Sequence, residues 1–188
     1  MNEKTKLYFD QIAETYIHTE TKLIDNLLDS LNLNGLNKVM DLACGKGIIS
    51  EKLQKITNNN VIALDISTNM IDVAESKINN DKITFINEDF YNFIDGNYDA
   101  IICFDAYPHF LDVDNFVNKS FELLKDQGRL IILHDCGIKE LNSHHEAFAK
   151  HVSRFIKSYK DELKYFENKF KVLEFEETEN YIKIIFQK

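Results

Sequence analysis

The sequence predicts an α/β domain: a seven-stranded, mostly parallel sheet in three layers, covered by helices on both faces and closed by a C-terminal antiparallel β-hairpin. Three observations predict it. Short apolar runs rich in Ile and Val recur between amphipathic stretches, as expected of strands buried on both faces. A glycine-bearing turn follows the first run. The last two runs are joined by too few residues for anything but an antiparallel return. At 188 residues the chain can bury one core without disulfides or metal, so 1–188 is expected to be a single domain.

In chain order, TKLYFDQIAETYIHTETKLIDNLLDSL has helical apolar spacing, so residues 1–34 read as helices ahead of the sheet. Five parallel strands follow: KVMDL at 38–42, VIALD at 61–65, ITFIN at 83–87, YDAIICF at 98–104 and GRLIILH at 128–134. Between them 47–56, 68–78 and 112–125 read as helices, the last with Phe116, Phe121 and Leu124 on one stripe. Much of 139–168 is again helical in spacing. FKVLEFEE at 170–177 and NYIKIIFQK at 180–188 then pair as the hairpin.

A formal net charge of −9 repels polyanions, which disfavours nucleic acid and favours a small molecule or a protein as substrate. No run of about 18 apolar residues occurs, and MNEKTKLYFDQ lacks an apolar signal-peptide centre. No membrane partner and a cytoplasmic location are therefore expected. Cys44, Cys103 and Cys136 contain no CxxC pair and read as free thiols. The sequence leaves the oligomeric state open.

The chemistry centres on VMDLACGKGIIS at 39–50. Open α/β sheets bind ligands beyond the carboxyl ends of their strands, where Gly45 and Gly47 are expected to lie. Without a Cβ the main chain there takes positive φ or meets a ligand in van der Waals contact, and the next helix's first amides favour a carboxylate or phosphate. Asp65 ends the second strand, placed to accept both hydroxyls of a ribose. A ribose-bearing cofactor is expected. The glycines also fill two places of a nicotinamide-binding GxGxxG pattern, but Ser50 stands in the third.

On these residues the chain resembles the class I S-adenosylmethionine-dependent methyltransferases, a family of three-layer Rossmann-like sandwiches. VMDLACGKG resembles the family's first motif, which implies that Asp41, Ala43, Cys44, Gly45 and Gly47 lie along the cofactor. ALDISTNMIDVAESK (63–77) is similar to the second-strand segment, implying Asp65 as the ribose acid, Ile66 beside it and Met70 under the adenine side. INEDFYNF (86–93) resembles the third-strand motif, implying Glu88 nearby, Asp89 at the adenine amino group and the Phe90 backbone at the ring edge. YDAIICFDAYPHF (98–110) and ELLKDQGRLIILHD (122–135) resemble the fourth- and fifth-strand motifs, bringing Phe104 and Asp105 to the cofactor. FDQIAETY (9–16) is similar to the helix that covers it, bringing Tyr16. Ala43 stands where a first glycine is common, and Asp126-Gln127 where many members have Pro-Gly. The implied cofactor is S-adenosyl-L-methionine, with S-adenosyl-L-homocysteine as its product.

Methyl transfer from a sulfonium is an in-line displacement, so alignment carries much of the catalysis and a base is needed only for a protonated acceptor. Candidate bases are Asp105 and His109 in FDAYPHF, His134 and Asp135 in ILHDC, and His144 and His145 in NSHHE. His109 reads equally as a ring packed beneath the cofactor. Asn142 or Ser143 as an N-cap accounts for the polarity of NSHHE without a catalytic role. No metal is expected, because on a helix His144 and His151 stand about 10.5 Å apart. Tyr8, Phe9, Tyr16, Tyr107 and Phe110 either wall an acceptor pocket or pack in the core. Four readings follow: small-molecule methyltransferase, favoured by the compact chain; protein or RNA methyltransferase; NAD-binding oxidoreductase; and non-catalytic cofactor-binding protein.

Overall fold

A computed structural model describes residues 3–17 and 21–188. Strands β1 (Lys38–Leu42), β2 (Asn60–Asp65), β3 (Ile83–Asn87), β4 (Tyr98–Phe104), β5 (Leu124–His134), β6 (Lys171–Glu177) and β7 (Ile182–Gln187) form one sheet of order β3-β2-β1-β4-β5-β7-β6. The first five are parallel. β7 runs antiparallel to both β5 and β6, so the hairpin inserts its second strand beside β5. The helices are α1 (Glu3–Ile12), α2 (Lys22–Ser30), α3 (Ser50–Thr57), α4 (Thr68–Lys77), α5 (Val113–Leu123), α6 (Ile138–His144) and α7 (Tyr159–Glu162). Residues 1, 2 and 18–20 of the expected N-terminal helical stretch lie outside the described residues.

Alternation along each strand splits the core in two. Val39, Val61, Ala63, Ala100, Ile102 and Ile131 pack on Ile24, Leu27 and Leu28 of α2, Leu53 of α3 and Ile71 of α4. Met40, Leu42, Leu64, Ile101, Cys103 and Ile132 pack on Phe116 and Val117 of α5, Leu141 of α6 and Tyr159 of α7. Each fully buried Leu, Ile or Phe contributes about 1.5–3 kcal/mol, so sandwiching holds the sheet more than strand propensity does. β4 is buried at every position, which explains its unbroken apolar run. The sheet order reverses at β1, with β2 on one side and β4 on the other. A crevice therefore opens at the carboxyl end of β1.

The structure departs from the sequence reading in four places. The helix after β1 begins at Ser50 rather than 47, because Gly47 sits at φ 77° and cannot be helical. β5 begins at Leu124, so α5 stops at Leu123; buried Leu124 pairs with Tyr98 before an irregularity carries the register to Arg129. Asn142 and Ser143 lie inside α6, whose N-cap is Gly137. Beyond α6 the chain widens into a π-helical turn at 145–149 and leaves helical geometry until α7. Tertiary bonds set that irregular path. The Asn142 side chain bonds both Ile156 O (2.7 Å) and Ile156 N (3.2 Å), and Arg154 reaches the carbonyls of Pro108 and Phe110.

Candidate active site

The turn after β1 is built from left-handed backbone: Ala43, Gly45 and Gly47 have φ of 59°, 53° and 77°. For alanine this conformation costs about 1–2 kcal/mol. The turn is held from β2, since Cys44 N donates to Leu64 O at 3.1 Å and Gly45 N donates to Asp65 Oδ2 at 2.8 Å. The other Asp65 oxygen accepts from Ser67 N at 2.8 Å. Ser67 caps α4 through Met70 N (3.1 Å) and donates its hydroxyl to Asp10 of α1 (2.7 Å). One carboxylate thus ties the glycine turn to the start of α4, and through Ser67 to the N-terminal helix.

The two glycines serve different ends. A Cβ on Gly45 would meet nothing within 4 Å, leaving its backbone open to the crevice. A Cβ on Gly47 would lie 2.7 Å from Ile78 Cδ1 and 3.2 Å from the Phe85 ring. Here the bare backbone also makes room for neighbouring side chains. Gly47→Ala is expected to destabilise the fold by about 2 kcal/mol, adding left-handed strain to overpacking, as read by chemical denaturation. An unchanged midpoint would contradict this packing.

Ser50, in the third place of the glycine pattern, gives its hydroxyl to buried Asp41 at 2.5 Å. Burial pushes Asp41 up to about 7 and Asp65 up to about 6. Lys46, between the glycines, reaches back to the carbonyls of Ala13 (3.0 Å) and Tyr16, so the end of α1 is strapped across the turn.

These elements enclose a cavity of about 510 Å³. Of the residues the sequence singles out, Tyr16, Asp41, Ala43, Cys44, Gly45, Gly47, Asp65, Ile66, Met70, Phe104, Asp105 and His109 line it. Glu88 and Phe90 line a small adjoining recess that shares Ala43, Asp65 and Ile66 with the main cavity. Asp89 lines neither; its carboxylate accepts from Tyr91 N at 3.0 Å. Cys44 is buried, and burial holds its thiol well above the ordinary range, which suits packing rather than nucleophilic attack.

The histidines are placed differently from one another. His109 is buried in the cavity wall, with Nδ1 3.0 Å from Val152 O, which puts the ring proton on Nδ1 and leaves Nε2 as an acceptor. Burial lowers it to about 4, so it is neutral at pH 7. His145 packs behind it at 4.9 Å and is lowered by burial to about 3. His144 is exposed and rests on Phe148. His134 is wholly buried behind Asp105, and Asp135 donates its N–H to Asp105 at 3.2 Å. None of His134, Asp135, His144 and His145 lines the cavity. Among the described residues no three His, Cys, Asp or Glu side chains converge closely enough to hold a metal ion.

Sequence reasoning missed Lys46, Ser50, Ser67 and Asp10. Ser67 was detectable as a cap, three residues ahead of Met70 at the start of a helical run. Lys46 and Asp10 carry no local signal for these roles, because the carbonyls that Lys46 reaches and the Ser67 hydroxyl that Asp10 accepts lie 30 or more residues away.

Comparison with known proteins agrees with this geometry. Residues 40–132 match the model of a methyltransferase domain. The chain is 30% identical over 148 residues to a demethylmenaquinone methyltransferase of Thermotoga maritima, covering 71% of this chain and 64% of that protein. It is 26% identical over 134 residues to a malonyl-[acyl-carrier protein] O-methyltransferase of Priestia megaterium, covering 67% and 49%. The chain spans about half the length of the curated relatives it matches. Among solved structures, the magnesium protoporphyrin IX methyltransferase of Synechocystis with bound SAH shares the fold with a TM-score of 0.67 at 21% identity, covering 98% of this chain and 96% of that one.

Proposed function

Because this chain belongs to the class I S-adenosylmethionine-dependent methyltransferases, we propose that it transfers a methyl group from S-adenosyl-L-methionine to a small-molecule acceptor. Asp65 carries the reading: a buried carboxylate at the end of β2, on the cavity wall, already organising the turn whose open backbone at Gly45 faces the same space. When bound, the cofactor supplies a methyl group on a sulfonium. Asp65 accepts the ribose hydroxyls, the Gly45 region meets the amino-acid end, and Ile66 and Met70 pack against the base, with Glu88, Asp89 and Phe90 at its edge. Tyr16 and Phe9, held over the turn by Lys46 and Asp10, exclude water.

The small-molecule acceptor is proposed by analogy with the relative named for demethylmenaquinone, while the other is named for malonyl-[acyl-carrier protein]. The acidic chain supports a small molecule over RNA. The nicotinamide alternative is less well supported, since Ser50 is engaged with Asp41 where a third glycine would let the backbone pack closely. No helix among the described residues is long and apolar enough to cross a membrane, and we place the protein in the cytoplasm.

Binding is tested by calorimetry with S-adenosylhomocysteine, and its pH dependence has a definite sign. Asp65 is raised to about 6 and Asp41 to about 7, so both gain protons as pH falls through that range. A protonated carboxyl accepts fewer and weaker hydrogen bonds from the ribose hydroxyls. Affinity is expected to be roughly tenfold weaker at pH 5 than at pH 8, with protons released on binding near pH 6. Flat affinity across that range would detach Asp65 from the ligand.

A further inference from the structure

The glycine turn, Asp65 and α1 account for the β1–β2 half of the cavity. The β4–β5 half is backed by a chain of three side chains from distant segments, of which only Asp105 reaches the cavity. Asp105 follows β4 directly, in left-handed backbone at φ 49°, and lies on the cavity wall with its side chain 18% exposed. Such strain in a non-glycine residue persists where surrounding structure over-determines it. Behind Asp105 lies the ring of His134, wholly buried at the end of β5, with Nδ1 3.2 Å from Asp105 Oδ1. Its Nε2 is 2.7 Å from the hydroxyl of Tyr159, the first residue of α7 and equally buried.

Chemistry fixes the direction of this chain. Burial holds the Tyr159 phenol well above its ordinary range, so it keeps its proton and can donate to Nε2 when the ring proton faces the Asp105 carboxylate. The ring proton of His134 then sits on Nδ1. That nitrogen has no aligned hydrogen-bond partner, and the Asp105 carboxylate is the acceptor beside it.

We propose that Asp105 takes the proton of the methyl acceptor, that His134 and Tyr159 are positioning residues holding its carboxylate toward the cavity, and that the acceptor is therefore an amine or a hydroxyl compound. This rests on the methyltransferase reading above. The bookkeeping of the step closes: the acceptor's lone pair forms the bond to the methyl carbon, the electrons of the broken carbon–sulfur bond stay on sulfur, and the acceptor's proton passes to an Asp105 oxygen. The cofactor's reacting end is expected over β4, since its sugar is held from β2 and its amino-acid end at β1. Among the described residues, Tyr16 after α1, Cys103 of β4 and Cys136 after β5 also face Asp105, which accepts the main-chain N–H of Asp135. Burial raises Tyr16 and Cys136 to about 12 and Cys103 well above its ordinary value, so these three are neutral at pH 7. With the Asp105 carboxylate on it, such a wall suits an acceptor that becomes more positive as it reacts and disfavours a carboxylate.

The test has two readouts. In the full chain saturated with S-adenosylhomocysteine, nitrogen-15 NMR of the histidine rings, with His134 assigned through His134→Asn, should show the His134 proton on Nδ1. Asp105→Asn should shift its Nδ1 resonance and Tyr159→Phe its Nε2 resonance; Tyr159→Phe removes one oxygen and keeps the ring's packing. With methyl-labelled S-adenosylmethionine and a fractionated metabolite pool, Asp105→Asn should lower transfer by a hundredfold or more. Tyr159→Phe should displace the acid limb of the pH–rate profile, and the labelled product should be an N- or O-methyl compound. A His134 proton on Nε2, wild-type rates in Asp105→Asn, or a methyl ester or methyl thioether product would overturn the proposal. Absence of transfer by the wild-type chain would count against the methyltransferase reading instead, while the ring resonances still decide whether the chain of side chains exists.

Discussion

Asp65→Ala is expected to weaken S-adenosylhomocysteine binding by at least a hundredfold. Hydrogen bonds to a charged group contribute about 1.5–3 kcal/mol each, and two ribose hydroxyls on one carboxylate amount to about 3 kcal/mol at the low end. Each tenfold in affinity is about 1.4 kcal/mol, which sets the hundredfold floor. Asp65 already accepts one N–H on each oxygen, from Gly45 and from Ser67, yet a carboxylate has further lone pairs for a ligand. The alanine variant therefore loses both the sugar contact and the brace on the turn. Asp65→Asn separates the two, since it keeps one acceptor oxygen without the charge and should fall between alanine and wild type. Calorimetry on all three proteins, with thermal unfolding to report the brace, checks the expectation. Affinity for the alanine variant within threefold of wild type would remove Asp65 from the binding site.

The largest effect on folding is expected at Gly137, outside the glycine turn. A Cβ there would lie 2.2 Å from Glu179 O, 2.6 Å from Glu179 C and 2.9 Å from Thr178 O. These are main-chain atoms of the β6–β7 turn and have no rotamer to retreat into. The turn is itself fixed, Thr178 giving both its N–H (2.9 Å) and its hydroxyl (2.8 Å) to Tyr181 O. Gly137→Ala must therefore part the start of α6 from the hairpin, at a cost of about 3 kcal/mol or more. Because α6 leads into the segment bearing His145 and Tyr159, the acceptor half of the cavity should loosen with it. Chemical denaturation measures this directly. A loss below about 1 kcal/mol would show that the hairpin and α6 are not in the contact described.

How much of this was legible in the sequence depended on how local its causes were. The bounds of β1, β3 and β4 coincide with their apolar runs, because sandwiching between two helical layers imposes burial at nearly every residue of β1 and β4. The turn at 43–47 was legible from its glycines, but their separate roles were not. Both line the cavity, but Gly47 also accommodates Ile78 and Phe85 whereas Gly45 meets no side chain, and only the packing of α4 and β3 distinguishes them. The path from 145 to 158 was illegible as a helix or loop, since Asn142 and Arg154 bend it through bonds to residues 14 and more positions away. Tyr159 carried no signal for the same reason: its partner His134 lies 25 residues earlier on another element. His134 itself read as a cavity residue because it ends an apolar strand, whereas its ring turns into the core and leaves Asp105 at the surface of the cavity.

The most direct test is a crystal structure of the chain with S-adenosylhomocysteine. The expected result is the nucleoside in the crevice at the carboxyl end of β1, both ribose hydroxyls within hydrogen-bond distance of Asp65 and the amino-acid end at the Gly45 backbone. Ligand bound elsewhere, or a crevice left empty at saturating concentration, would contradict it.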